Sequence, residues 1–205
     1  MITISKNKYR LPFNGKWYIE YGGISKKTSH SYNLINQRYA YDFEIRKDDL
    51  PYKGDYTNKE NFYCYKQEII APLDGIVMAI EDGYKDTKIL PNRPIISDIK
   101  DTRGNYIIIK HKNNEYSLIC HILKNSFKVK VGDIVKEGQI LALVGNSGNT
   151  NGPHIHFQIQ DRFDFNTAIG IKITFKDIEV TKGNITKYKK KTYIERNSYV
   201  ENKRI

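Results

Sequence analysis

The chain has 205 residues, of which 39% are hydrophobic, and its formal net charge at pH 7 is +11. This length suits one domain with a sizeable core, and the lack of an apolar run of about 18 residues excludes a membrane-spanning helix. The basic balance favours contact with a polyanion, such as nucleic acid, anionic lipid or an acidic cell-wall polymer, although a solvated basic surface explains the charge equally well.

The first residues, MITISKNKYRLPFNGKW, lack the apolar stretch of a signal peptide. For an exported protein, this indicates either a leader that has been removed or release by a non-classical route. A cytoplasmic location is the alternative.

The predicted elements that follow are strands. RYAYDFEI (38–45) alternates, with apolar side chains on one face and Asp42 and Glu44 on the other. EIIAPLDGIVMAIED (68–82) predicts two short strands around a Pro-Leu-Asp-Gly turn. GNYIIIKHKNNEYSLICHIL predicts a hairpin whose turn lies at 112–114. VKVGDIVKEGQILALVG predicts further short strands, and HIHFQIQD another.

This pattern of short strands and turns, with no long helical period, predicts an all-β fold of antiparallel sandwich or barrel-like sheets with long connecting loops. Residues 82–104 are expected to form a long loop that walls a binding groove. The tail from about 165 onward, with the basic run Lys189–Lys191, shows no regular pattern. No repeat or linker marks a second domain, so a single domain over 1–205 is predicted.

The two cysteines, Cys64 and Cys120, form no Cys-x-x-Cys pair, so a thiolate zinc site is not expected. Two free thiols are predicted, with a disulfide between them as the alternative. Because neighbours on a strand face opposite ways, Cys120 is expected to point away from whatever His121 faces.

Two histidines lie two residues apart in GNSGNTNGPHIHFQIQD. Because side chains i and i+2 on a strand share a face, His154 and His156 reach one site, while Ile155 and Phe157 pack into the core. Catalytic zinc needs about three His, Asp or Glu ligands and an open position. Asp42 is a further candidate, because a charge among aromatic residues is costly unless a cation balances it. Spacing alone leaves a metal site and a structural histidine pair both open.

Taken together, the motifs resemble those of the lysostaphin-type zinc endopeptidases, which cut peptidoglycan peptides. The resemblance rests on YAYDF, APLDGIV, YSLICHI, VKVGDIVKEGQILALVG and GNSGNTNGPHIHFQIQD, in that order, and extends from about Leu11 to Phe175. It implies the duplicated hybrid motif fold and one zinc ion per chain. It also implies a catalytic core at about 28–165, with a lead-in at 1–27 and an extension at 166–205.

The resemblance further implies a role for each site residue. His156 and Asp42 are the implied zinc ligands. His154 and His121 are the implied catalytic histidines, one acting as base on the zinc-bound water and the other stabilising the oxyanion, with the assignment between them open.

The remaining zinc ligand commonly lies four residues before the aspartate, where this chain has Arg38. Some relatives carry it farther upstream, in a short Ser-His or Asn-His stretch, which here gives His30 in KKTSHSYN. His111 is the alternative ligand, but its position at the hairpin turn favours a structural role.

The resemblance implies a hydrolase that is secreted or associated with the cell wall. Its implied partners are peptidoglycan peptides and anionic cell-wall polymer, with no nucleic acid. Three alternatives are a non-catalytic wall-binding or regulatory member of the same fold, a biotinyl or lipoyl carrier, and a nucleic-acid binder. VKVGDIVKEGQILALVG resembles half of the carrier pattern, but the exposed hairpin lysine is missing. The charge and the 16 tyrosines suggest nucleic-acid binding, although the tyrosines of RYAYDFEI are predicted to face the core.

Overall fold

The computed structural model describes residues 4–91 and 100–203, and the all-β prediction is confirmed. The strands form one ten-stranded and one two-stranded antiparallel sheet. Within the described residues, the only helices are two single-turn 3-10 helices, Lys59–Asn61 and Lys112–Asn114, and none is long and apolar enough to cross a membrane.

The strands of the larger sheet, in spatial order, are β11 (Ile185–Thr192), β10 (Phe175–Lys182), β12 (Tyr199–Asn202), β1 (Lys16–Tyr21), β2 (Tyr41–Glu44), β9 (Ile155–Gln160), β6 (Tyr116–Cys120), β5 (Tyr106–Lys110), β4 (Gly75–Glu81) and β7 (Ile134–Val135). The smaller sheet pairs β3 (Glu68–Ile70) with β8 (Ile140–Leu143).

The middle of the large sheet follows the predicted alternation. Tyr41 and Phe43 of β2 are buried in the main apolar cluster, together with Ile155 and Phe157 of β9. The two strands pair Tyr41 with Phe157 and Phe43 with Ile155. The residues between them, which include Asp42, therefore project from the opposite face of the sheet.

The predicted hairpin is also confirmed. β5 and β6 pair from Ile107 with Ile119 to Lys110 with Tyr116, and the 3-10 turn joins them. β6 then pairs with β9 on its other side. This order brings the end of β6 next to the His-x-His stretch.

The irregular tail expected after residue 165 is wrong, because β10, β11 and β12 lie there. β12 lies between β10 and β1, pairing Glu201 with Lys16 and Asn202 with Ile178. β11 is an edge strand whose residues are exposed from Ile185 to Lys191. Its sequence ITKYKKKT has no apolar face to bury, so hydrophobic alternation could not reveal it, and its hydrogen bonds to β10 define it.

Segments that precede β2 and segments that follow β9 in the chain contribute to the main core. Their largest buried side chains belong to the same apolar cluster as β2 and β9. Burying each such side chain stabilises a fold by about 1.5–3 kcal/mol, so these segments stabilise the sheet that carries the polar face. The residues in question are Tyr9, Leu11, Phe13, Trp17, Phe175, Ile178 and Val200.

The long loop predicted at 82–104 is confirmed where it is described. Between the end of β4 at Glu81 and the start of β5 at Tyr106, the described residues form one isolated bridge, which joins Asp86 to Ser147. Residues 92–99 of the predicted loop lie outside the described residues.

Candidate active site

A cleft of about 740 Å³ opens on the polar face of β2, β6 and β9. Its walls include all five residues to which the motifs pointed: His30, Asp42, His121, His154 and His156. Asp42 lies in β2, His156 in β9, His154 just before β9 and His121 just after β6. Because these strands are neighbours in the sheet, side chains from one face converge.

Asp42 is the centre of the contacts in this cleft. Its Oδ1 lies 2.9 Å from Nδ1 of His156 and 3.8 Å from Nε2 of His154, and its Oδ2 lies 3.4 Å from Nδ1 of His30. Burial alone raises the pKa of Asp42, but the hydrogen bond with His156 and the charges of the three histidines outweigh burial and lower that pKa well below its usual value. Asp42 is therefore an ionised carboxylate that requires positive charge around it.

His156 is buried, and both of its ring nitrogens have partners. Nδ1 faces Asp42, and Nε2 lies 3.1 Å from Oε1 of Gln158. Burial alone lowers the pKa of His156, but the hydrogen bond with Asp42 raises it above its ordinary value. The ring is thus fixed at both ends, which sets its orientation toward the carboxylate.

His121 and His154 lie side by side in the cleft, with ring centroids 4.6 Å apart. Nδ1 of His154 lies 2.9 Å from the carbonyl oxygen of Gly152, and Nδ1 of His121 lies 2.8 Å from that of Ser147. Because a carbonyl oxygen can only accept, either ring in its neutral form carries its hydrogen on Nδ1 and has an unprotonated Nε2. Burial also holds the pKa of His121 well below its ordinary value, so this ring is neutral at pH 7.

The position of His121 depends on a close approach of two loops. Gly104 and Gly148 both have positive φ angles, 62° and 83°. A Cβ on Gly104 would lie 2.3 Å from the main chain of Ser147, and one on Gly148 would lie 2.4 Å from the nitrogen of Gly104. Only glycine tolerates both conditions. The close packing holds the carbonyl oxygen of Ser147 where His121 donates to it.

The expectation that Cys120 faces away from the site of His121 is wrong, because both residues line the cleft. His121 has a left-handed backbone conformation, with φ at 63°, and it follows the last residue of β6. The strand alternation therefore breaks between the two residues. Cys64 and Cys120 are both buried and free, so the predicted free thiols are confirmed.

His30 lies in the turn-rich segment between β1 and β2, not on a strand. Its side chain is 37% exposed, and its ring packs against that of Tyr21 with centroids 4.9 Å apart. Arg38, at the position where the resembled family commonly carries a ligand, donates from Nε to the carbonyl oxygen of Tyr32. The contact with Asp42 is thus made by the upstream histidine.

His111 is separate from this group. His111 is not one of the described residues that line the cleft. Its Nδ1 lies 2.9 Å from the carbonyl oxygen of Asp74, and its Nε2 lies 2.8 Å from Oγ of Ser117. Both nitrogens are therefore engaged in holding the hairpin against the turn before β4.

By donor type, His30, Asp42 and His156 form a set that fits zinc, with two nitrogens and one carboxylate. Among the described residues, however, no three His, Cys, Asp or Glu side chains are already arranged around one metal position. Two ligands of a tetrahedral zinc ion lie about 3.3 Å apart. Asp42 and His156, at 2.9 Å, are closer than that because they form a hydrogen bond with each other.

Two further polar residues of β9 belong beside this site but were not among the residues that the sequence motifs indicated. Gln158 and Gln160 are 1% and 0% exposed, and they lie on the same face of the strand as His156. The signal was the polar period of two, which continues through HIHFQIQ. Because buried amides are costly without hydrogen-bond partners, this pattern predicts a network beside the histidines.

Comparison with known proteins gives matches in sequence and in structure. The family model described as Peptidase family M23 matches residues 61–167. Peptidoglycan DD-endopeptidase ShyC of Vibrio cholerae is 29% identical over 91 residues, which cover 44% of this chain and 18% of ShyC. Murein hydrolase activator EnvC of Escherichia coli is 31% identical over 86 residues, which cover 42% of this chain and 20% of EnvC.

Among solved structures, the catalytic domain of the antimicrobial peptidase lysostaphin from Staphylococcus simulans is 21% identical, with a TM-score of 0.43. The match covers 77% of this chain and 88% of that structure. The chain spans less than a third of the length of the curated relatives that it first matches.

Proposed function

Because the chain belongs to peptidase family M23, we propose that it is a zinc-dependent endopeptidase that hydrolyses peptide bonds in the stem or cross-bridge peptides of peptidoglycan. Three matched relatives are named peptidoglycan DD-endopeptidases, which supports this substrate class. The proposal uses one zinc ion per chain and one peptidase domain over 1–205, with its catalytic core at about 28–165. The place of action is the cell wall, where anionic wall polymer is a further partner.

The observation that carries the proposal is the convergence of three histidines on one buried carboxylate. His30 and His156 each turn Nδ1 toward Asp42, at 3.4 and 2.9 Å. An ionised carboxylate in this environment requires a compensating cation. We assign His30, Asp42 and His156 as the zinc ligands. Bound there, zinc supplies a Lewis acid that polarises a peptide carbonyl and makes water more acidic.

His121 and His154 are assigned to proton transfer. Each presents Nε2 for this purpose, because its Nδ1 is engaged by a main-chain carbonyl. One Nε2 accepts a proton from the attacking water, and the resulting imidazolium returns it to the nitrogen of the leaving amine. The neighbouring histidine stabilises the oxyanion, which forms when the new C–O bond is made and before the C–N bond breaks, by donating from a protonated Nε2, since an unprotonated Nε2 would repel the negative charge. One water molecule is consumed for each amine and carboxylate released.

Digestion of purified peptidoglycans that differ in cross-bridge chemistry, followed by mass spectrometry of the fragments, tests this function. We expect cleavage of at least one cross-bridge type, loss of cleavage after treatment with a chelator, and recovery on addition of zinc. His111→Gln changes a buried histidine outside the cleft and is expected to retain activity. A zinc-loaded chain that cleaves none of the peptidoglycans would refute the proposal.

A second candidate is a non-catalytic wall-binding or regulatory protein with the same fold. One matched relative is named as a murein hydrolase activator, which is the observation in favour. The presence of His121 and His154 beside the three assigned ligands favours the enzyme. Peptidoglycan binding without any new amino termini in the digestion assay would instead select the regulatory function.

A further inference from the structure

One edge of the large sheet carries a row of lysines. β11 is the outermost strand at that edge, and its residues are exposed from Ile185 to Lys191. Because side chains i and i+2 on a strand share a face, Lys187, Lys189 and Lys191 project from the same side of β11. We call these three residues the lysine row. It is about 14 Å long, with one charge about every 7 Å.

The lysine row has no acidic partner. None of the ion pairs that lysines form within the described residues includes a member of the row. Its cross-strand neighbours on β10 are Val180, Ile178 and Lys176. The two acidic residues of β10, Asp177 and Glu179, accept hydrogen bonds from the hydroxyl of Tyr188 and from the amine of a lysine outside the row. Three like charges therefore lie close together without compensation, which favours the binding of an anion.

The lysine row lies on the face of the sheet opposite to the cleft. Directly paired residues share a face, and Lys187 pairs with Val180. Val180 in turn pairs with Val200, and Val200 pairs with Trp17. Val200 and Trp17 are buried in the main core, whereas Asp42 projects from the other face. Because β11 and β2 are four strands apart, or about 19 Å, a ligand on the lysine row leaves the cleft free.

We propose that the lysine row binds a linear phosphodiester polymer of the cell wall along β11. This inference rests on the proposed place of action in the wall, and it identifies the surface and the chemistry of the anionic partner. A straight row of ammonium groups matches an extended chain that carries a negative charge in each unit, and lysine is a common phosphate ligand.

Nucleic acid fits this surface less well. Proteins that bind single strands place aromatic side chains beside the positive charges, so that bases can stack on them. Tyr188 is the only aromatic residue of β11. It lies on the other face of the strand, and its hydroxyl donates to Asp177 at 2.8 Å. The lysine row itself therefore offers charge without a stacking surface.

Lysines on an edge strand also prevent pairing with other chains, and this second role requires a different charge. Glutamate protects an edge as well as lysine does, but only a cation binds phosphate. Replacing the lysine row by glutamate therefore separates the two roles.

The test measures binding of a soluble poly(glycerol phosphate) to the full chain by isothermal titration calorimetry between about 50 and 200 mM salt. In the triple variant Lys187→Gln, Lys189→Gln, Lys191→Gln, the slope of log affinity against log salt should become shallower by about 2. Each lost phosphate contact removes about 0.7 from that slope in single-stranded nucleic acid. Affinity at about 50 mM salt should fall by more than about 10-fold. The corresponding triple glutamate variant should lose binding and still elute as a monomer in size-exclusion chromatography.

A matched control changes three exposed lysines in loops outside β11: Lys53→Gln, Lys128→Gln and Lys130→Gln. This variant has the same net charge as the glutamine variant of the lysine row, and it should keep the slope of the wild type. All variants should cleave a small uncharged peptide at the rate of the wild type, because the lysine row is remote from the cleft.

An unchanged slope in the glutamine and glutamate variants of the lysine row would overturn the inference and leave edge protection as the role of these lysines. An equal loss of binding in the control would overturn it too. Equal affinity of the wild type for single-stranded DNA, or for vesicles that contain phosphatidylglycerol, would reject the wall polymer as the partner. A chain that cleaves peptidoglycan but does not bind the polymer would reject only the lysine row, whereas a chain that binds the polymer at the lysine row but cleaves nothing would reject only the proposed enzyme.

Discussion

Separate replacement of the two histidines of the His-x-His stretch should give two different defects. His156 is 7% exposed and contacts both Asp42 and Gln158. Its removal leaves an ionised carboxylate and an amide without these partners. Breaking a buried charged pair costs about 3–5 kcal/mol, so His156→Ala should lose about that much of the free energy of unfolding of the metal-free protein and most of its zinc affinity.

His154 is held by weaker contacts. Its side chain is 19% exposed, its Nδ1 is bonded to the carbonyl oxygen of Gly152, and its Nε2 lies 3.8 Å from Asp42. Losing an ordinary hydrogen bond costs about 1 kcal/mol. His154→Ala should therefore keep its fold and its zinc, while the peptidase rate falls by about 10²–10⁴-fold, the range for acid–base or oxyanion groups. His121→Ala should resemble it in zinc content and in rate.

Three measurements on the purified variants test this difference: urea unfolding of the metal-free forms, zinc content after dialysis, and the rate of cleavage of a peptidoglycan peptide. Loss of zinc from His154→Ala together with its retention in His156→Ala would reverse the two assignments. Zinc and full activity in all three variants would mean that none of the three histidines has the role assigned to it.

Chelation, salt and acid should each act on a different part of the molecule. A chelator should lower the Tm of the zinc-loaded wild type but not that of Asp42→Asn, since metal binding adds to folding free energy only where the ligands remain. Scanning fluorimetry measures the Tm of each protein with and without the chelator. An equal fall in Tm in the two proteins would argue against Asp42 as a ligand. Binding to cell walls should weaken steeply between about 50 and 200 mM salt, while cleavage of a small uncharged peptide changes little, and an equal loss in both assays would contradict a purely electrostatic role for the basic surface. Acid should lower the contribution of His111 to stability as the pH falls below about 6.5, because burial lowers its pKa and the unfolded chain takes up the proton first. The free energy of unfolding of His111→Gln, measured by urea titration at several pH values, should lack this part of the pH dependence. A pH dependence identical to that of the wild type would refute the prediction.

The strands around the cleft could be predicted because each is buried on one face and carries different chemistry on the other. Tyr41 and Phe43 alternate with Asp42, and Ile155 and Phe157 alternate with the histidines. This two-residue period determines which side chains share a face. The alternation therefore predicts that Asp42 and the histidines of β9 point away from the core, even without knowledge of which strands are neighbours.

Other features depend on contacts that have no local signal. Alternation fails at His121, because its positive φ is stabilised by loops that are distant in sequence. His30 reaches Asp42 from a turn-rich segment, where no regular period applies. β11 is almost entirely exposed, so hydrophobicity cannot mark it. In each case tertiary contacts outweigh the local pattern.

The insertion of β12 between β10 and β1 links the completion of the sheet to protein synthesis. Lys16 of β1 is made well before its partner Glu201, because the two residues lie near opposite ends of the described part of the chain. At about 5–20 residues per second, the delay between them is on the order of tens of seconds. During that time the outer edge of β1 has no native partner and can pair with other chains. Translation, and not the intrinsic rate of strand pairing, therefore sets the earliest moment at which this half of the sheet can close.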